Sequence, residues 1–570
     1  AMSTLLVLVV GFAFLLACGY FFLVLPAQQS FRALADSNKP IPAATAEAER
    51  VKIDFNEPEF EEKDVDPAAL PDDPQRLPAW TAMRLAHKLL LSAPTTNADE
   101  IVAKIETLGR LGQAQSLAKD GYGASQSFDA ALAITRKLPA SDVQRSAFAF
   151  IAARLASGVR GMQAIRVAQE IDEASARTTA LLDVVARLAS EGQLGDAKLA
   201  ASSLESPLDV AWAWQKIAQT QAERNLVLGA RQTLKQAIDA VARETDKAKT
   251  AESRILVGLA LVQATLGNKK GALETIDPIT FLPDRVAVLL AVAEAEGKTR
   301  RNDALVTLRT AEMQATQIAE PLHRIDPDLQ IARLYETLGD AAKSGEVADR
   351  SLASLKLVSD EEPEDLLVRT VCFNQIAALY AKLRRPEDAQ QAWAEARSSA
   401  ARLPTPDEQA LALADLVDAQ ITEAAPAEEV ALTIAEIDGR LSSATTAGDS
   451  GWQTEILTRL AALAITRNDL AAAEARLAGA SQAAEGIADV VIRAERLRPL
   501  VALVVRLRGW DAGQARTQAE SKPFVVASGL FGAAEGALEK LNATGSSGAS
   551  SDLPIAAPVG EAPGEAAPTE

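Results

Sequence analysis

Apolar positions recur along most of this chain with the spacing of one face of a helix. Between Cys372 and Ala400, Phe373, Ile376, Ala377 and Tyr380 fall at i, i+3, i+4 and i+7. Arg385-Pro386 interrupts that stripe. Pro386 suits the first position of a second helix, and Glu387 and Asp388 suit its first turn, where the helix dipole favours acids. Ala389, Trp393 and Ala396 then form a second apolar face. The pattern predicts a helical hairpin, and variants of it recur. Phe148, Ile151, Ala152 and Leu155 are followed by Ala164 and Ala168; Leu457, Leu460 and Ala461 are followed by Ala473, Leu477 and Ala480. Ala118, Ala152, Val185 and Ala218 stand 34, 33 and 33 residues apart. Later intervals lengthen, to 42 from Ala218 to Ala260 and 45 from Ala332 to Ala377, which predicts longer helices or inserted loops.

The small residues have a mechanical role. Ala377 and Ala389 sit where two helices must cross closely, and a larger side chain would push them apart. A hairpin of this kind leaves apolar surface exposed until a neighbour covers it, so stability comes from stacking. With Phe373, Ile376-Ala377, Tyr380, Ala389, Trp393 and Ala396 in place, and with Tyr335 followed by Leu338-Gly339-Asp340, the sequence resembles the tetratricopeptide repeat. HEAT-like and suppressor-of-lin-12-like arrays share the helix-pair pattern. The resemblance implies an all-α, right-handed superhelical solenoid of about ten hairpins, with a concave groove lined by the first helix of each. It also implies a protein or peptide partner in that groove. Gln215, Gln263, Asn374 and Gln375 are the candidate partner-binding residues.

The remainder of the chain is different in kind. Leu5 to Leu25 is almost wholly apolar, long enough to span a bilayer, and residues 1–26 are expected to form a single-pass anchor preceded by no basic residue. A lipoprotein reading draws on Leu15-Leu16-Ala17-Cys18, although the apolar run continues past the cysteine. A cleaved signal peptide needs a basic leader and a shorter core. Arg32 and Lys39 follow the segment, which leaves the side of the membrane open. Residues 27–78 are rich in proline and acids and read as an extended linker. Residues 79–541 form the repeat array, with Trp80 to Leu91 opening its first unit and Phe524 to Leu541 capping its end. Residues 542–570, rich in Gly, Ser, Pro, Ala and Glu, read as a disordered tail.

Composition narrows the function. The net charge of −19 disfavours nucleic acid and permits a basic protein partner. Two histidines, His87 and His323, and two cysteines, Cys18 and Cys372, supply no zinc spacing, no disulfide framework and no nucleophilic triad. Gly297-Lys298-Thr299 imitates the end of a phosphate-binding loop, but Val292 stands where that loop needs glycine. The sequence therefore predicts no enzyme, no cofactor and no metal. It favours a membrane-anchored interaction scaffold. A self-assembling component of a membrane or envelope complex is the alternative, and an enzyme without a linear motif is a remote one.

Overall fold

The computed structural model describes residues 71, 74–243, 249–443 and 450–548, all within the unit Val65–Glu570. The expected anchor, nearly all of the acidic linker and the tail beyond 548 lie outside the described residues. Among the described residues no helix is long and apolar enough to cross a membrane.

The described residues fold as helices, with no strand among them. After a 3₁₀ turn at Pro74–Arg76 come α1 (Leu77–Ser92), α2 (Ala98–Leu117), α3 (Gly121–Thr135), α4 (Asp142–Ser157), α5 (Gly161–Gln169), α6 (Ala174–Ser190), α7 (Leu194–Ser202) and α8 (Pro207–Glu223). The middle of the array holds α9 (Val227–Val241), α10 (Lys249–Thr265), α11 (Lys269–Ile276), α12 (Leu282–Gly297), α13 (Arg301–Ala315), α14 (Pro321–Thr337), α15 (Ala341–Leu355) and α16 (Pro363–Lys382). The last third holds α17 (Pro386–Ala401), α18 (Pro406–Thr422), α19 (Ala427–Ser443), α20 (Ser450–Thr466), α21 (Leu470–Glu485), α22 (Val490–Arg508), α23 (Trp510–Gln518) and α24 (Pro523–Gly548).

From α2 onward consecutive helices pair as hairpins, and the first helix of each (helix A) also packs on helix A of the next. The A-to-B turn is nearly invariant. Lys119, Val159, Gly192, Asn225, Gly267, Gly339, Arg384, Ala424, Asn468 and Gly509 all have positive φ at this turn. In most of them the following N–H reaches back five residues, as Asp120 does to Gln115, Arg160 to Leu155 and Asp340 to Tyr335. This is the Schellman closure, and its first residue past helix A is left-handed. The residue that donates the long bond then caps helix B: Asp120, Asn268, Asp340 and Asp469 each accept the N–H three positions on. One residue ends one helix and the next begins the other, which fixes the hairpin angle.

Glycine meets this left-handed requirement without strain; a β-branched residue does not. Val159 holds φ at 63°. Val159→Gly is therefore expected to stabilise the array by about 1 kcal/mol, measured by denaturant unfolding. A variant less stable than the parent would show that the Val159 turn stores no strain.

Three features differ from the sequence reading. First, the described residues form twelve hairpins rather than about ten. Second, α1 does not open the first hairpin; that unit is α2 with α3. Third, α24 is no free cap. It packs along α1, so that the carboxy-terminal helix acts as helix A and the amino-terminal helix as helix B of a twelfth hairpin. The array thereby closes on itself rather than continuing as an open superhelix. One hydrophobic core runs across the junction, joining Met83, Ala86 and Leu90 to Phe128 on one side and to Val525, Phe531 and Ala534 on the other. Closure leaves neither end of the stack with an uncovered apolar face, which removes the need for a polar cap.

Polar bonds set the register of the closure. The Arg84 guanidinium forks onto Asp120 at 2.7 and 3.0 Å, and the Trp80 indole donates to the Ala118 carbonyl at 3.1 Å. On the other side α24 lies directly against the backbone of α22. A Cβ at Gly532 would overlap the Arg498 carbonyl, and one at Gly536 the Ala502 carbonyl. Arg498–Glu535 at 3.1 Å and Arg506–Glu539 at 3.3 Å bracket that contact.

Candidate functional site

The A helices curve toward one another. Glu423, at the end of α18, meets Lys382 of α16 at 3.2 Å and Arg333 of α14 at 3.4 Å. An A helix so reaches the second A helix along the array, as inward curvature on that face requires. The same face carries Arg459 of α20 between Asp415 and Asp418 of α18, both at 2.6 Å, and Arg496 of α22 with Glu455 of α20 at 2.8 Å. Burial works against the Arg459 charge, but Asp415 and Asp418 outweigh it and hold the guanidinium firmly protonated. The A face is thus a ladder of paired charges, with the apolar stripes turned into the core.

Where the array closes, this ladder changes. A cavity of about 310 Å³ is lined by Arg110, Gln113, Arg154, Arg498, Phe531 and Glu535, among others. A smaller one of about 130 Å³ adjoins it, sharing Arg110 and Arg498 and adding Glu106 and Glu495. Helix α2 supplies Arg110 and Gln113, α4 supplies Arg154, α22 supplies Arg498, and α24 supplies Phe531 and Glu535. The residues come from both ends of the chain, so this site exists only in the closed array. Phe150 lies between two guanidinium groups, Arg154 at 4.8 Å and Arg110 at 5.8 Å from its ring centre, and Arg498 stacks over Phe531 at 4.9 Å. Burial, with Arg187 and Arg110 nearby, pushes the Arg154 guanidinium down to about 10. Burial also holds the Glu106 and Glu535 carboxyls above the usual carboxylate range, against the pull of Arg110 and Arg498 respectively.

The four residues expected to line the groove are placed mostly elsewhere. Gln215, Gln263 and Asn374 are buried, and Gln375 is half-buried. Gln263 accepts from Thr275 of its own hairpin at 2.8 Å, and Asn374 accepts from the Trp393 indole at 3.2 Å. Gln215 rests over Gly258 of the next A helix, where a Cβ would crowd its amide. These three side chains hold helices together; burial takes them off the surface that a partner could reach. Gln263 belongs to a recurring device. Gln115 and Ser127 repeat its bond at 2.7 Å, and Gly123 and Gly271, eight residues after each glutamine, leave room for the amide.

His87 is buried, with Nδ1 at 3.1 Å from the Ser127 hydroxyl, which itself donates to Gln115. The pair resembles a nucleophile and its base, but Ser127 is fully buried and its proton is already engaged. Burial pushes the His87 imidazole down and the Cys372 thiol up to about 12. Among the described residues no group of three His, Cys, Asp or Glu is placed to hold a metal ion. Sequence reasoning missed the closure residues altogether. Its one available signal was Gly529, Gly532 and Gly536, spaced by three and four, which puts three glycines on one helix face.

No protein-family model matches this chain, and no curated protein matches it. Among solved structures it is similar to helical repeat proteins. A Rap protein complexed with competence and sporulation factor is 12% identical, with a TM-score of 0.27, over 68% of this chain and 100% of that one. Cut9 from the APC/C hetero-tetramer Cut9–Hcn1 is 12% identical, with a TM-score of 0.19, over 76% of this chain and 88% of that one. A circular tandem repeat protein with novel repeat topology is 13% identical, with a TM-score of 0.18, over 83% of this chain and 98% of that one. The described residues form an array of helical hairpins, as their own helices and turns define it.

Proposed function

We propose that this protein is a membrane-anchored scaffold, not an enzyme, which binds another protein or peptide on the A-helix face of its repeat array. The observation that carries the reading is the charge ladder on that face. Arg333, Lys382 and Glu423, and Arg459 with Asp415 and Asp418, present alternating charges along a continuous wall. Such a wall suits a polar partner recognised through orientation and charge pattern rather than through bulk apolar area. The apolar run from Leu5 to Leu25 supports the anchor, and the net charge of −19 favours a basic partner.

The test uses proximity labelling from the intact full-length chain, compared with the double variant Asp415→Lys, Asp418→Lys. Both side chains are at least half exposed, and adding Arg459→Glu to the variant keeps their pairing with the charges inverted, so the fold tolerates the change. Labelling of the partner is expected to fall several-fold in the variant, while helicity and melting temperature stay near the parent's. Identical labelled sets from the two proteins would count against recognition on this wall.

A further inference from the structure

We infer that the cavity at the closure binds a carboxylate group through Arg154. The charges around the cavity are almost all spoken for. Arg110 pairs with Glu106 at 3.2 Å, Arg187 with Asp183 at 2.9 Å and Arg498 with Glu535 at 3.1 Å. Arg154 is different. It donates through Nη1 to the neutral amide of Gln113 at 3.2 Å, and its Nε is buried without a partner. Among the described residues no carboxylate lies within ion-pair distance of it. The remaining carboxylate of this region, Glu495, lines the smaller cavity beside Glu106.

A half-buried guanidinium beside two others, with no carboxylate in contact, is costly. Burial, Arg187 and Arg110 oppose its charge more strongly than Asp183 and Glu106, neither of them in contact, support it. In a chain with nineteen more acids than bases, an unpaired arginine here is not explained by a shortage of carboxylates. A ligand carboxylate would supply the missing charge and accept from the planar donor edge that a guanidinium presents. One guanidinium without a contacting carboxylate calls for a monoanion rather than a phosphate dianion. Phe150 and Phe531 flank the guanidinium groups, and Leu117 completes an apolar wall, so the carbon next to the carboxylate is expected to carry an apolar or aromatic group. The cavity volume of about 310 Å³ admits one such residue-sized group.

Two sources offer this chemistry: the free carboxy terminus of a peptide, and a small organic acid. The site stands on its own geometry, so it survives if the partner of the A-face wall proves not to be a peptide. Calorimetric titration of the full-length protein separates the sources. The probes are acetyl-Ala-Phe with a free carboxy terminus, the same dipeptide amidated, and 3-phenylpropionate. Binding of the free-acid dipeptide with no binding of the amide supports a peptide terminus. Equal binding of 3-phenylpropionate and the free-acid dipeptide supports a small acid. In either case Arg154→Gln is expected to weaken binding by about tenfold or more, the value of one charge-assisted bond. Arg154→Lys keeps the charge and loses the fork, so it is expected to fall between the two. If Arg154→Gln fails to fold, Arg154→Lys and the acid-against-amide comparison on the parent protein still decide the matter. Binding of neither acid, equal binding of acid and amide, or binding indifferent to both variants would overturn the inference.

Discussion

Gly532→Leu is expected to open the array and to cost about 3 kcal/mol or more. At this position α24 touches the backbone of α22, and a side chain would have to occupy the space of the Arg498 carbonyl. Backbone cannot turn aside as a flexible side chain can, so α24 must shift along its whole length. Gly536 lies one turn on, against Ala502, and offers no room for the shift. Helix α24 is also the main support of α1. The strain should therefore appear at the far end of the sequence. In hydrogen exchange, amides of α24 and of α1 should lose protection together, although more than 400 residues separate them, while hairpins such as α14–α15 keep theirs. Should α1 retain native protection when α24 is released, closure would be incidental to the stability of the amino terminus, and the twelve-hairpin description would fail.

The contrast between what was legible and what was not follows from range. The hairpins are written locally. Tyr380 and Arg385-Pro386 announce the end of one helix and the start of the next, and Leu338-Gly339-Asp340 states the left-handed turn outright. The same turn is harder to see where Val159, Ala424 or Lys119 occupies the left-handed position, because those residues carry no turn signal of their own. Closure involves residues at opposite ends of the chain. Nothing in the local pattern of Phe524 to Leu541 distinguishes a cap from a helix that recruits α1. The groove residues were misplaced for a geometric reason. Gln263 stands where helix A makes its final turn toward helix B, so its side chain meets Thr275. A residue one face away, such as Arg333 or Lys382, looks equally polar in sequence yet reaches the open side. Arg154 was missed because an arginine beside alanines reads as a solvated helix residue until Arg110 and Arg187 are seen around it.

Arg350→Ala is expected to destabilise the middle of the array by about 3–5 kcal/mol, the cost of stranding a buried charge. Asp328 on α14 has no exposed surface. Arg350 on α15 forks onto it, with Nη2 at 2.6 Å from Oδ1 and Nε at 3.1 Å from Oδ2, and reaches Glu312 on α13 with Nη1 at 3.2 Å. The buried Tyr335 donates its hydroxyl to the same Glu312 at 2.8 Å. One guanidinium thus ties two neighbouring hairpins. Its loss leaves Asp328 in the core, while the partly exposed Glu312 can still turn to water. The pH dependence gives an independent check. Burial already holds the Asp328 carboxyl above its usual range, with Arg350 pulling it back down. Without Arg350 the folded value rises further above the unfolded value of about 4. A raised folded value means that folding takes up a proton, so the variant's deficit should be smallest in acid and should grow as pH rises from the unfolded value through the folded one. Pairing Arg350→Met with Asp328→Leu removes both charges and should recover most of the loss. Denaturant unfolding of the two variants at acid and neutral pH decides this. A pH-independent deficit, or a double variant no better than the single, would mean that Arg350 acts by packing rather than by compensating Asp328.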